Sequence, residues 1–171
     1  MNRICSAVCC IALVALPALA KPKPAAGHSG MTDQQFLDFA AQTDMVEANL
    51  GQLAQNAASA QQVKDYGQML ATDHTGDYQQ LSTVASQAGL TEPTAIDAAH
   101  NKAIAPFHQL KGAAFDHRYV AEMIAGHTKA IALYKKEAAD AQNSVLKSYA
   151  QATLPTLQKH LDGAKGLEKA K

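Results

Sequence analysis

Residues 32–57, TDQQFLDFAAQTDMVEANLGQLAQNA, decide the fold. Thr32 is followed three residues later by Gln35, the pattern of a capping box that opens a helix. Behind it Phe36, Phe39, Ala40, Thr43, Val46, Leu50, Leu53 and Ala57 recur at helical spacing, which lays one apolar stripe along a helix of about 3.6 residues per turn. A helix of this kind has to bury its stripe against others.

The rest of the chain supplies them. Ser59 with Gln62 repeats the start signal, and Val63, Leu70, Leu81, Val84 and Ala88 follow as a second stripe. Gly89 then suits the left-handed position that closes a helix. About two residues separate these helices, so they should pack antiparallel. A third helix is expected from about Ala114 to Ala141 through Phe115, Val120, Met123, Ile124, Ile131 and Tyr134. Asn143-Ser144 stop it and cap a fourth, which carries Leu146, Tyr149, Leu154, Leu157, Leu161 and Leu167, with Pro155 set to bend it. Residues 90–112 are less regular. Thr91-Glu92-Pro93 is a break, 97–105 is a candidate short helix, and Pro106 starts or kinks the segment after it. The expectation is an all-α domain over 32–171, an antiparallel four-helix bundle with a longer crossover between helices two and three.

Composition agrees. The 171 residues suit one domain. The 35 Ala and 15 Gln favour helices, and β-branched residues are sparse. Fifteen Lys+Arg balance fifteen Asp+Glu, so no basic field exists to draw nucleic acid or anionic lipid.

Residues 1–20 read as a signal peptide. Arg3 gives a positive start, Ile4–Leu16 is almost wholly apolar, and Pro17-Ala18-Leu19-Ala20 ends in the small–x–small pattern cleaved on export. The apolar run falls short of the ~20 residues a membrane helix needs, so no transmembrane span is expected after cleavage. Val8 before Cys9 argues against a lipoprotein. Residues 21–31, Pro-, Gly- and Lys-rich over Lys21–Gly30, read as a flexible linker. The reading is an exported, periplasmic protein, with outer-membrane association, a homo-oligomer or an envelope partner left open. Cys5, Cys9 and Cys10 all lie in the signal. The mature domain therefore has no disulfide, thiolate site or covalent haem, and any metal must use His, carboxylate or Met.

The informative residues are ionisable ones on the apolar stripes. Residues seven apart on a helix differ by only about 20°. Glu47 lies seven from Ala40 and Ala54, and His74 seven from Leu81. His127 lies seven from Val120 and Tyr134, and His160 seven from Leu167 and three from Leu157. Each helix sends one such group toward the core, where it needs a partner. Counted from their own tight turns, the four sit ~18, ~22, ~24 and ~26 Å along the bundle, close to one layer. One carboxylate and three imidazoles make a competent shell for one divalent transition metal, Zn, Fe, Mn or Cu. The alternative is a hydrogen-bonded polar layer in a structural or stress-related envelope protein. Asp73 adjoins His74 but points about 100° away, which reads as a solvated charge. Asp116 reads as serving the first turn of helix three. Met45, Met69 and Met123 read as core filling, and His28, His100, His108 and His117 as surface residues.

Val46-Glu47 with Leu50-Gly51-x-Leu53-Ala54, Met69-Leu70-x-x-Asp73-His74, Phe115-Asp116-x-x-Tyr119-Val120, His127, and Leu154-Pro155-x-Leu157-x-x-His160-Leu161 resemble the exported bacterial family catalogued as domain of unknown function 4142. The resemblance spans about residues 32–168. It implies a ferritin-like fold, with Glu47, His74, His127 and His160 as characteristic positions, and supplies no reaction. Members are often labelled outer-membrane proteins. A ferritin di-iron site needs Glu-x-x-His on two helices plus two further Glu. Here neither His74 nor His160 has a Glu three residues before it, and Glu122 is five from His127, so one ion is the most expected. Thick apolar stripes argue against a haem bundle with Met/His ligation. No nucleophile–base set, phosphate loop or H-E-x-x-H is found, so a non-enzymatic role is favoured, with a redox enzyme built on the metal left as an alternative.

Overall fold

The computed structural model describes residues 30–170. The signal peptide read at 1–20 and the linker residues before 30 lie outside the described residues. Five helices follow one another: α1 (Asp33–Ala57), α2 (Gln61–Ala88), α3 (Ala98–Ile104), α4 (Gly112–Asp140) and α5 (Ser144–Lys169), with a 3-10 turn over Ala105–Gln109. Among the described residues there is no strand, and no helix is long and apolar enough to cross a membrane.

Several of the helix ends are set by the expected chemistry. Thr32 Oγ1 accepts from the Gln35 N–H and Gln35 Oε1 accepts from the Thr32 N–H, so both halves of the box form. Gly89 closes α2 at φ +70°, and Asn143 Oδ1 accepts from the Val145 N–H at the start of α5. α5 continues through Pro155. The start of α4, with Lys111 as N-cap, has no side-chain cap of its own, and neither does the start of α2, where Ala60 is the N-cap. At the start of α2, Asp116 supplies the cap from α4. Its Oδ1 accepts from the Ser59 N–H at 3.0 Å, and its Oδ2 accepts from the Ala60 N–H at 3.0 Å and from the Ser59 hydroxyl. Asp116 is thus tied to the α1–α2 turn rather than reserved for its own helix. The reason is energetic: a buried carboxylate facing unpaired N–H donors gains more there than from its own helix dipole.

Partner residues on α1 and α2 run in opposite order. Ala54 and Gly51 face Gly67, Gly51 also faces Ala71, and Asp44 meets His74. On α4 and α5, Tyr134 meets Tyr149 and His127 meets His160 in the same opposed sense. α2 also packs on α5 and α1 on α4, making an all-helical bundle. Gly51 and Gly67 let α1 and α2 approach closely, since a Cβ on Gly51 would lie 2.5 Å from the Gly67 carbonyl oxygen. The crossover is pinned at several points. Gln34 accepts from the Thr91 N–H and donates to its carbonyl, Gln42 does the same with Asp97 and Ala95, and Tyr78 donates to the Pro93 carbonyl. These amides satisfy backbone groups that a non-helical segment otherwise leaves open.

The apolar core comes in two parts. One gathers Phe36, Leu37, Ala40, Leu81, Tyr134, Leu146 and Tyr149. The other gathers Leu50, Ala54, Val63, Leu70, Phe115, Tyr119 and Met123. On α1, α2 and α4 the break between the two parts falls at the ionisable residue of the stripe, and on α5 it falls just beyond His160, between Leu161 and Ala164.

Candidate metal centre

Glu47 on α1, His74 on α2, His127 on α4 and His160 on α5 are all buried, none more than 4% exposed. They meet. Glu47 Oε2 lies 3.0 Å from His74 Nε2 and 3.2 Å from His127 Nε2. The ring centroids of His74 and His160 are 5.1 Å apart and those of His127 and His160 are 5.2 Å apart. One ring nitrogen from each histidine lies within 4.8 Å of the other two.

The second nitrogen of every ring is held from outside. His74 Nδ1 is 2.8 Å from Asp44 Oδ1, His127 Nδ1 donates to the Met123 carbonyl at 2.9 Å, and His160 Nε2 is 2.9 Å from Asp73 Oδ2. Each outer atom is an acceptor, which places a proton on the outer nitrogen. The inner atoms, Nε2 of His74, Nε2 of His127, Nδ1 of His160 and Glu47 Oε2, are buried without a hydrogen-bond partner. The 3.0 and 3.2 Å approaches to Glu47 are ion-pair distances without hydrogen-bond alignment. The alignment matters more, because short, misdirected N···O contacts leave the donor and acceptor capacity unspent.

The sequence profile of the family described as Domain of unknown function (DUF4142) matches residues 18–167. The chain belongs to this family. No curated protein and no solved structure matches it. All four cluster positions of this DUF4142 chain fall inside the matched span.

The charges in the DUF4142 cluster are strongly coupled. Burial pushes the Glu47 carboxyl up, but His74 and His127 outweigh it and hold the group below its ordinary value. Burial pulls His74 down, and Glu47 and Asp44 overcome this to lift it to about 10. Burial wins at His160, driven down to about 4 despite Asp73, and it holds His127 below its usual value. These shifts favour charge on His74, between Glu47 and an Asp44 itself raised to about 7 by burial, and the neutral form at His127 and His160. A cleft of about 370 Å³ between α2 and α5 reaches His74 and His160, with Asp73 and Lys159 at its edge.

Asp73 is not the solvated charge its angle suggested. It leans across to α5, where the His160 N–H rewards it more than water does. Asp44 escapes the sequence reading, although it stands three residues before Glu47 and so about one turn from it on α1. Of the remaining histidines, His100 is half-exposed beside Asp97, His108 and His117 are exposed, and His28 lies outside the described residues.

Proposed function

We propose that residues 32–171 form an antiparallel four-helix bundle of ferritin-like architecture that binds one divalent transition metal through Glu47, His74, His127 and His160. The opposed order of partner residues along α1–α2 and α4–α5 supports the architecture. The observation that carries the metal reading is the pairing of nitrogens. Every ring spends one N–H on a carboxylate or carbonyl and turns its other nitrogen, which makes no hydrogen bond, toward the same oxygen-bearing centre. Metal-binding histidines characteristically have this outer hydrogen bond, which fixes tautomer and ring angle. Imidazoles and one carboxylate suit Zn, Fe, Mn or Cu. Four protein donors fill a tetrahedral shell, the pattern of a site that retains an ion rather than one that activates water. With the signal read at residues 1–20, the ion is held in the periplasm, which suits metal handling or sensing in the envelope.

A second reading has its own support. His74 between Asp44 and Glu47 is an ion cluster that balances charge without metal, as a structural envelope protein with a polar core would have. Thermal melting of the chelator-treated protein with added Zn, Mn, Fe or Cu separates the two. An ion at a hundred times its Kd adds about 2.7 kcal/mol, and His127→Ala should remove that increment while leaving the helical content. If no metal raises the wild-type melt, or the alanine variant keeps the whole increment, the structural reading replaces the metal one.

A further inference from the structure

We propose a second binding site, independent of the metal reading, for a small neutral molecule that has an apolar body and one hydroxyl group, received between α1, the crossover and α4 with Glu47 as its hydrogen-bond acceptor. A cavity of about 200 Å³ lies there, walled mainly by apolar side chains such as Leu50, Ile104, Phe107 and Met123, with half-buried Thr43 and His100 and exposed Glu122 and Lys129 also in its lining. Ile104 and Phe107 belong to the crossover, so the segment with the least regular sequence closes one side of it. A cavity of about 150 Å³ lined by apolar side chains already holds benzene, and this one has room for a single ring with a substituent.

The polar end is Glu47, which borders the cavity although it is only 4% exposed. Its two oxygens face different surroundings. Oε2 sits against His74 and His127, whereas Oε1 lies on the Gly126 side, 3.4 Å from where a Cβ on that residue would be. Gly126 carries no side chain to fill that space, so Oε1 is open to whatever enters. A carboxylate oxygen walled by hydrocarbon is costly without a donor, and an apolar visitor would take away its water and return nothing. A hydroxyl brings one donor for one acceptor. An ammonium group brings a full charge to a carboxylate that already lies 3.0 Å from His74, and an anion meets both Glu47 and Glu122 in the same lining. The chemistry therefore selects a phenol-like or short-chain hydroxyl compound, with Lys129 over the Phe39 ring at 5.6 Å.

Phenol and toluene test this, being matched in shape and differing in the hydroxyl. Calorimetric titration of the full exported chain, chelator-treated and again Zn-loaded, should show one phenol per chain, bound at least tenfold more tightly than toluene in both forms. Gly126→Ala places a methyl in ordinary contact with Oε1, so the fold survives while the approach closes. Phenol affinity should fall at least tenfold in it, with any metal-induced rise in melting temperature unchanged. Equal affinity for phenol and toluene, no binding of either, or full phenol affinity in Gly126→Ala each overturns the proposal. Phenol binding in a protein that no metal stabilises would leave this site standing and overturn only the metal reading.

Discussion

Asp73 Oδ2 lies 2.9 Å from His160 Nε2, and this contact determines which nitrogen of His160 is left for the cluster. With the proton held on Nε2, the lone pair sits on Nδ1, the buried atom that has no hydrogen-bond partner. Asp44 does the corresponding work for His74 and the Met123 carbonyl for His127.

Asp73→Asn should therefore weaken metal binding by about 10–100-fold, the usual cost of losing an outer partner of a ligating histidine. An amide presents its N–H₂ as readily as its oxygen, so the tautomer of His160 is no longer imposed. Asp73 keeps about a third of its side chain in water, so melting of the metal-free variant should stay close to wild type. Competition against a chromophoric chelator measures the affinity. An unchanged affinity would mean that the Asp73 contact is incidental.

The four long helices and the four converging residues were legible because both rest on periodicity. Ala40, Glu47 and Ala54 fall on one stripe, and burial of a stripe fixes the facing of everything in it. Asp44, Asp73 and Asp116 were not legible, since Asp44 and Asp73 bond to residues on another helix and Asp116 to the α1–α2 turn. A charge off the stripe reads as solvated until the neighbouring helix is in place. The register of α1 against α2 is what brings Asp44 to His74, and that register comes from the close approach at Gly51 and Gly67. The short helix of the crossover was legible at 97–105, but not how the segment docks, because the amides that pin it, Gln34 and Gln42, lie more than fifty residues away.

Metal-free protein should be most stable near pH 6.5 to 7. Burial brings His160 down to about 4 and lowers His127 as well, whereas both titrate near ~6.5 once unfolded. Across the acid side the unfolded chain thus binds protons that the native one refuses, and stability climbs as pH rises from about 4 to about 6.5. Asp44, lifted to about 7 by burial, and Asp77, also raised by burial, oppose this on the same side, while Glu47, held low by His74 and His127, joins the two histidines in favouring it. His74 governs the alkaline side. Its position near 10, reached against burial through Glu47 and Asp44, gives stability that is whole below about 6.5 and lost as pH rises toward 10. Urea midpoints of chelator-treated protein between pH 4 and 10 check this. A midpoint that keeps rising to pH 10 would mean that His74 is neutral in the native state.

Gly67→Ala should destabilise the protein even though alanine is the better helix former by about 1 kcal/mol. A Cβ there would lie 2.6 Å from the Ala54 Cβ and 2.9 Å from the Gly51 carbonyl oxygen. Neither obstacle is the end of a flexible side chain, so the backbones of α1 and α2 must move apart. Overpacking of this kind costs about 1–3 kcal/mol, and after the propensity gain a net loss of about 1 kcal/mol remains, or a few degrees of melting temperature. The same displacement reaches the cluster. Glu47 stands one turn from Gly51 on α1, His74 two turns from Gly67 on α2, and their 3.0 Å approach spans the gap being widened. Metal affinity should fall together with stability in Gly67→Ala, whereas Gly126→Ala, whose Cβ makes only an ordinary contact, should melt at or above wild type. If Gly67→Ala melts as high as Gly126→Ala, the close approach of α1 and α2 is not what holds Glu47 against His74.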